Sequence, residues 1–113
     1  MHEVAIITHA LDAAIAAANE AGAKRIAIVR LRIGRLVGVV PEALEFAFEV
    51  VRKGTLAEDA ALEWTEVPVD CRCRSCGRVF CPEDVVYACP DCGELSSEIL
   101  SGRELELTQV EIE

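Results

Sequence analysis

Aromatic residues make up 4% of this 113-residue chain, too few to build a platform on which nucleobases could stack. Lys and Arg number 11 against 20 Asp and Glu, a formal net charge of −9, and the cysteine-bearing segment itself holds more acids than arginines. Neutralising a phosphate backbone takes clustered positive charge, so no nucleic-acid partner is expected. Two histidines, no Ser/His/Asp constellation and no paired-carboxylate signature leave little acid–base machinery, and the expectation is not an enzyme. No apolar run reaches membrane-spanning length: the richest stretch, Val4 to Ala18, is interrupted by Thr8, His9 and Asp12. With no signal-peptide pattern at the start either, a soluble, cytoplasmic protein in a reducing compartment is expected, with no membrane partner. Repeats, low-complexity tracts and obvious linkers do not occur. An apolar fraction of 52% supports one small domain, or a compact core with a metal-held appendage too small to bury enough surface alone.

What the chain has in quantity is sulfur. All six cysteines fall between Cys71 and Cys92. Cys73 with Cys76, and Cys89 with Cys92, form two C-x2-C pairs, each able to put two thiolates on one ion from a single tight turn; together they supply the four tetrahedral ligands that structural Zn(II) prefers. Gly77 and Gly93 follow the pairs and can take the positive φ that curls backbone around a sulfur-bound metal, and Pro90 stiffens the second turn. Cys71 would make a C-x-C pair with Cys73 whose side chains are expected to diverge in an extended strand. It is set aside with Cys81 as a buried small side chain or an idle thiol. Disulfides are disfavoured by the knuckle spacing. Two other readings of the cluster stay open on residues alone: a zinc-ribbon adaptor binding protein or nucleic acid, and an iron redox module, since C-x2-C with C-P-x-C-G resembles rubredoxin.

At the other end, Met1-His2-Glu3 stands directly before Val4, Ile7, Leu11, Ile15 and Ala18, the 3.6-residue period of an amphipathic helix, which Gly22 should end. Met1 should persist before the large second residue. Amine, backbone nitrogen and the His2 imidazole are then close enough to chelate one ion, in a set suited to Ni(II) or Cu(II) in a square plane. Protons compete for these donors, so affinity should fall in acid. The competing readings are a solvated terminal His2 and a Glu3 that merely favours the positive helix end. His9, inside the helix with nothing to pair with, should cap or solvate one face.

Between these ends, Lys24 to Leu36 alternates as a strand, with a phase slip at Val29 that a bulge or two-sided burial would explain. Arg30, Arg32 and Arg35 read as a solvated strand face. Pro41 opens a second helix containing Leu44, Phe48 and Val51, and Gly54 stops it. Ala60 to Val67, around Leu62 and Trp64, and Glu104 to Glu113 alternate as two further strands, Trp64 serving as a core anchor. The fold class is therefore α/β (α+β): two helices packed on a small three-stranded sheet, with a zinc-ribbon-like domain inserted before the last strand. The expected division is residues 1–69 plus 103–113 as one domain and 70–102 as the other.

Taken together, Met1-His2-Glu3, the run Leu31-Arg-Ile33-Gly34-Arg-Leu36-Val-Gly38-Val-Val-Pro41-Glu42-Ala43-Leu44, the stretch Phe46-Ala-Phe48-Glu49 and the paired knuckles resemble the HypA-type nickel metallochaperones over essentially the whole chain. The resemblance implies transferable Ni(II) taken at the N-terminus through His2 with backbone nitrogens of Met1, His2 and Glu3. It implies structural Zn(II) on Cys73, Cys76, Cys89 and Cys92. It also implies delivery of nickel for maturation of [NiFe]-hydrogenase, in some members urease, with a nickel-handling maturation GTPase and the hydrogenase large subunit precursor as partners, and a monomer or homodimer. Cys71 and Cys81 depart from the minimal pattern.

Overall fold

The computed structural model describes residues 2–82, 87–95 and 97–113; Met1 lies outside them. Helix α1 (His2–Glu20) holds neither Gly nor Pro and is rich in alanine, the strongest helix former. It buries Ile6, Ile7, Leu11, Ala14 and Ala18. The stripe is rotated from the expected one: Val4 is 37% exposed, and Ile6 and Ala14 take inward places instead. Gly22, at φ +71°, ends the helix as expected, and the Ala23 N–H closes back on the Ala18 carbonyl at 2.9 Å.

Strand β1 (Ile26–Gly34) forms the centre of a three-stranded sheet. It runs parallel to β2 (Ala61–Val67) and antiparallel to β6 (Leu105–Ile112). A parallel neighbour needs a crossover, which α2 (Pro41–Val51) supplies, with Pro41 in its first turn. The phase slip is a bulge: Ile26 pairs with Ile112 and Ile28 with Glu111, leaving Ala27 unpaired, so Ile26 and then Val29, Leu31 and Ile33 are all buried. They meet α1 and α2, where Leu44, Ala47 and Phe48 close the core, with Trp64 half-buried against it.

The opposite sheet face is charged, as expected for Arg30 and Arg32. Arg30 reaches Glu63 and Gln109, each at 2.8 Å, and Arg32 reaches Glu106 at 2.9 Å. Such solvent-exposed pairs add little to stability; here they tie both outer strands to the middle one. Arg35 lies instead in the 3-10 turn Arg35–Val37.

A second antiparallel sheet, unforeseen from the sequence, sits around the cysteines: β3 (Asp70–Cys73) between β4 (Val79–Phe80) and β5 (Ser97–Ser101). Its small core is Val69, Cys71, Cys73, Phe80 and Cys89. The whole is elongated, 55 × 26 × 16 Å. Two chain segments join the sheets, Pro68–Val69 outward and Gly102–Glu104 back, and the returning one crosses Gly34. There the Gly34 N–H donates to the Glu104 carbonyl at 2.7 Å and the Leu36 N–H to the Gly102 carbonyl at 2.8 Å. A Cβ on Gly34 would lie 2.0 Å from the Gly102 oxygen, so glycine is required by close backbone approach, although its φ of −69° suits any residue.

Candidate metal centres

The two C-x2-C turns are built alike. In the first, the Cys73 N–H donates to the Arg78 carbonyl at 2.8 Å and the Gly77 N–H to the Cys73 carbonyl at 2.9 Å. In the second, the Cys89 N–H donates to the Glu94 carbonyl at 3.0 Å and the Gly93 N–H to the Cys89 carbonyl at 2.9 Å. Gly77 and Gly93 hold φ of +77° and +74°, the conformation their position after each pair foretold. Arg78 Nη1 meets Asp91 Oδ1 at 2.5 Å and Ser75 Oγ meets Glu94 Oε2 at 3.3 Å, bracing one turn against the other.

This framework brings the Sγ atoms of Cys73, Cys76, Cys89 and Cys92 within 4.8 Å of one another. Individual separations are 3.5 Å for Cys73 and Cys92, 3.6 Å for Cys76 and Cys89, and 3.9 Å for Cys76 and Cys92. Four sulfurs each about 2.3 Å from a tetrahedral zinc would stand about 3.8 Å apart, so the cage is compatible with zinc. Without a cation the thiols compete for charge. Backbone N–H groups of Cys76 and Ser75 bring Cys73 down to about 7. At Cys92 the Glu94 N–H acts in the same direction, but the adjoining Cys73 sulfur and burial outweigh it and push that thiol up to about 12. A bound cation removes the competition by favouring thiolate at all four.

Cys71 and Cys73 do not diverge, contrary to expectation. Residues two apart on a strand share a face, and both are buried in the small core. Cys71 is nevertheless outside the four-sulfur group; burial pushes its thiol up, opposed by a hydrogen bond with Ser97. Cys81 is exposed.

At the start of the chain, His2 begins α1 with its side chain 53% exposed, and its Nε2 lies 3.6 Å from Oε2 of the buried Glu3. Glu3 is more than a charge at a helix end. Its Oε2 accepts the Val40 N–H at 3.0 Å, and that bond, with its own backbone N–H, holds the carboxyl below the ordinary value. Val40 is the residue preceding α2, which has no side-chain cap of its own. Glu3 thus caps α2 from another helix and pins the first turn of α1. Nothing in the local sequence links positions 3 and 40. His9 is exposed and lines a shallow groove between α1 and β6 together with Glu106.

A family model described as hydrogenase/urease nickel incorporation, metallochaperone, hypA matches residues 1–112. The chain is 53% identical over 112 residues, 99% of both proteins, to a hydrogenase maturation factor HypA of Picosynechococcus sp.. It is 43% identical over 114 residues to the protein of the same name from Roseiflexus sp., covering 100% of this chain and 93% of that one. Among solved structures it is similar to the solution structure of the Ni metallochaperone HypA from Helicobacter pylori, with a TM-score of 0.68 and 26% identity, covering 97% of this chain and 96% of the other. A second solution structure of HypA protein gives a TM-score of 0.73 at 26% identity, covering 99% and 96%.

Proposed function

The chain belongs to the HypA family of nickel incorporation metallochaperones in hydrogenase maturation, and on that footing we propose that it takes up Ni(II) at its N-terminus and hands it on during maturation of [NiFe]-hydrogenase. Nickel is cargo. Its donors are the amine of Met1, backbone nitrogens of the Met1-His2-Glu3 tripeptide and the His2 imidazole, a nitrogen set suited to Ni(II). The observation that carries this reading is the open imidazole of His2 on a helix start that the Glu3–Val40 bond holds in place. An exposed site on a fixed backbone can both chelate and release.

The sulfur cage has the complementary role. Cys73, Cys76, Cys89 and Cys92 hold Zn(II), and four thiolates leave no coordination position for water, so the ion maintains structure. Residues 70–102 form the zinc domain, and 1–69 with 103–113 the nickel domain. The partners are a nickel-handling maturation GTPase and the hydrogenase large subunit precursor, met in the cytoplasm by a monomer or homodimer; urease is a second destination.

The test is a Ni(II) titration of the full-length protein, of His2→Ala and of a version with residues added before Met1. Both changes are expected to abolish tight nickel binding while zinc content and the circular dichroism spectrum stay unchanged. Unaltered tight binding in both would remove the site.

A further inference from the structure

Helix α2 presents more apolar surface than its core contacts consume. Leu44 and Phe48 are buried, yet Phe46 is 67% and Val50 51% exposed. With Ala43 they line an open, mostly apolar groove of about 370 Å³ whose far wall includes Val4 of α1. Ala43, Phe46 and Val50 follow the three-and-four spacing of one helical stripe, and Glu42, Glu45 and Glu49 follow the same spacing one position earlier. An acidic ridge therefore runs along the apolar stripe. Glu49 makes one loose contact with Arg52 at 3.6 Å, which leaves the ridge negative.

A rimmed apolar patch of this kind marks a contact surface. A second copy of the chain fits it poorly: twofold pairing presents the same surface from both sides, bringing acidic ridges together on a molecule of net charge −9, and like charges across an interface are repulsive. We propose that the groove docks an amphipathic helix of a different protein, one with an apolar ridge flanked by Lys and Arg. Its apolar side chains enter between α2 and Val4 at helical spacing, and its cations lie over Glu42, Glu45 and Glu49. The occupant would then lie beside the N-terminus, since Val4 directly follows His2 and Glu3. The inference goes beyond the nickel reading and does not require it.

The probe is a fluorescein-labelled 14-residue Leu/Lys peptide with a helical apolar face, titrated into the full-length chain. Its controls are a scrambled peptide of equal charge and a Leu/Glu peptide of the same pattern. The Leu/Lys helix is expected to bind, with amide chemical-shift changes clustered on Val4, Ala43, Phe46 and Val50. Phe46→Ser should weaken it by at least about tenfold, the size of an interface anchor, and Glu45→Lys with Glu49→Lys should weaken it independently; all three positions are exposed, so the fold should survive. Equal binding of the scrambled peptide, or indifference to Phe46→Ser, would overturn the proposal. So would sedimentation finding a wild-type dimer that Phe46→Ser dissociates, which would give the groove to a second copy. His2→Ala should bind the peptide like wild type, so failure of the nickel site and failure of the groove are read separately.

Discussion

Replacing Gly34 with alanine adds one methyl group where the connection returning from the second sheet crosses the end of β1. That methyl would sit 2.0 Å from the Gly102 oxygen, 2.1 Å from its carbonyl carbon and 2.6 Å from the Arg103 nitrogen. All three are backbone atoms, so no side chain can swing aside. Relief requires the returning strand to move away from β1, which breaks the Gly34 and Leu36 N–H bonds at 2.7 and 2.8 Å. Two hydrogen bonds at about 1 kcal/mol each, with overpacking of about 1–3 kcal/mol, give a loss of about 3–5 kcal/mol. For a domain of this size that lowers Tm by about 12–20 °C. Gly38→Ala is the control: its φ is +74° but an added Cβ meets nothing within 4 Å, so left-handed strain of about 1–2 kcal/mol is the whole cost. Thermal unfolding followed by Trp64 fluorescence, with zinc content measured on the same samples, compares the two. Gly34→Ala melting within a few degrees of Gly38→Ala would refute the crowding argument. Loss of zinc from folded Gly34→Ala would count against treating residues 70–102 as a separate domain.

Cys76→Ser should reduce bound zinc from one per chain toward none after dialysis, whereas Cys81→Ser should leave it unchanged, as measured by elemental analysis. Cys71→Ala should keep its zinc and yet melt lower, because it empties a fully buried position in the small core. Glu104 accepts the Gly102 N–H at 2.7 Å, and its own backbone N–H, with that bond, lowers its carboxyl from the ordinary 4.5. A lowered native value gives stability that is complete above about pH 4.5 and is lost as pH falls through the native value. The Tm gap between wild type and Glu104→Gln should therefore be wider at pH 7 than at pH 3; an equal gap at both would contradict it.

The helices, the three core strands and the two knuckles were legible because their signals are local: a 3.6-residue period, Pro41 at a helix start, Gly77 and Gly93 after paired cysteines. The second sheet was not. Its strands are as short as the two residues of β4, below the length at which alternation becomes visible, and Asp70-Cys-Arg-Cys, which does alternate, carries its strand signal inside a metal-ligand motif. A period of two puts Cys71 and Cys73 on one face, so their shared burial was available from the sequence. Two other features were beyond its reach. Gly34 carries no local signal of its role, because its reason is the Gly102 backbone, distant in the chain. Glu3 looked like a helix-dipole charge, but its carboxylate is spent on Val40.

Four thiolates could in principle attract nickel as well as zinc, so a nickel carrier with a sulfur cage needs something to keep its cargo elsewhere. The knuckles supply it. Their paired backbone hydrogen bonds, the positive φ of Gly77 and Gly93 and the Arg78–Asp91 brace hold the two turns together, with three sulfur pairs at 3.5–3.9 Å, near the spacing of tetrahedral zinc. A square plane would require some sulfur pairs to separate and others to close, breaking those bonds. The proposed N-terminal donors, backbone nitrogens and the His2 imidazole, would meet no such resistance. If the N-terminal site proposed above holds the nickel, a braced sulfur cage and an open nitrogen donor set would sort two metals by geometry, without relying on the cage's raw affinity. The sorting should weaken when the brace is removed: Arg78→Ala is expected to raise the share of nickel exchanged into the cage on prolonged incubation, seen as thiolate-to-nickel absorption, and an unchanged share would place the selectivity in the cysteines alone.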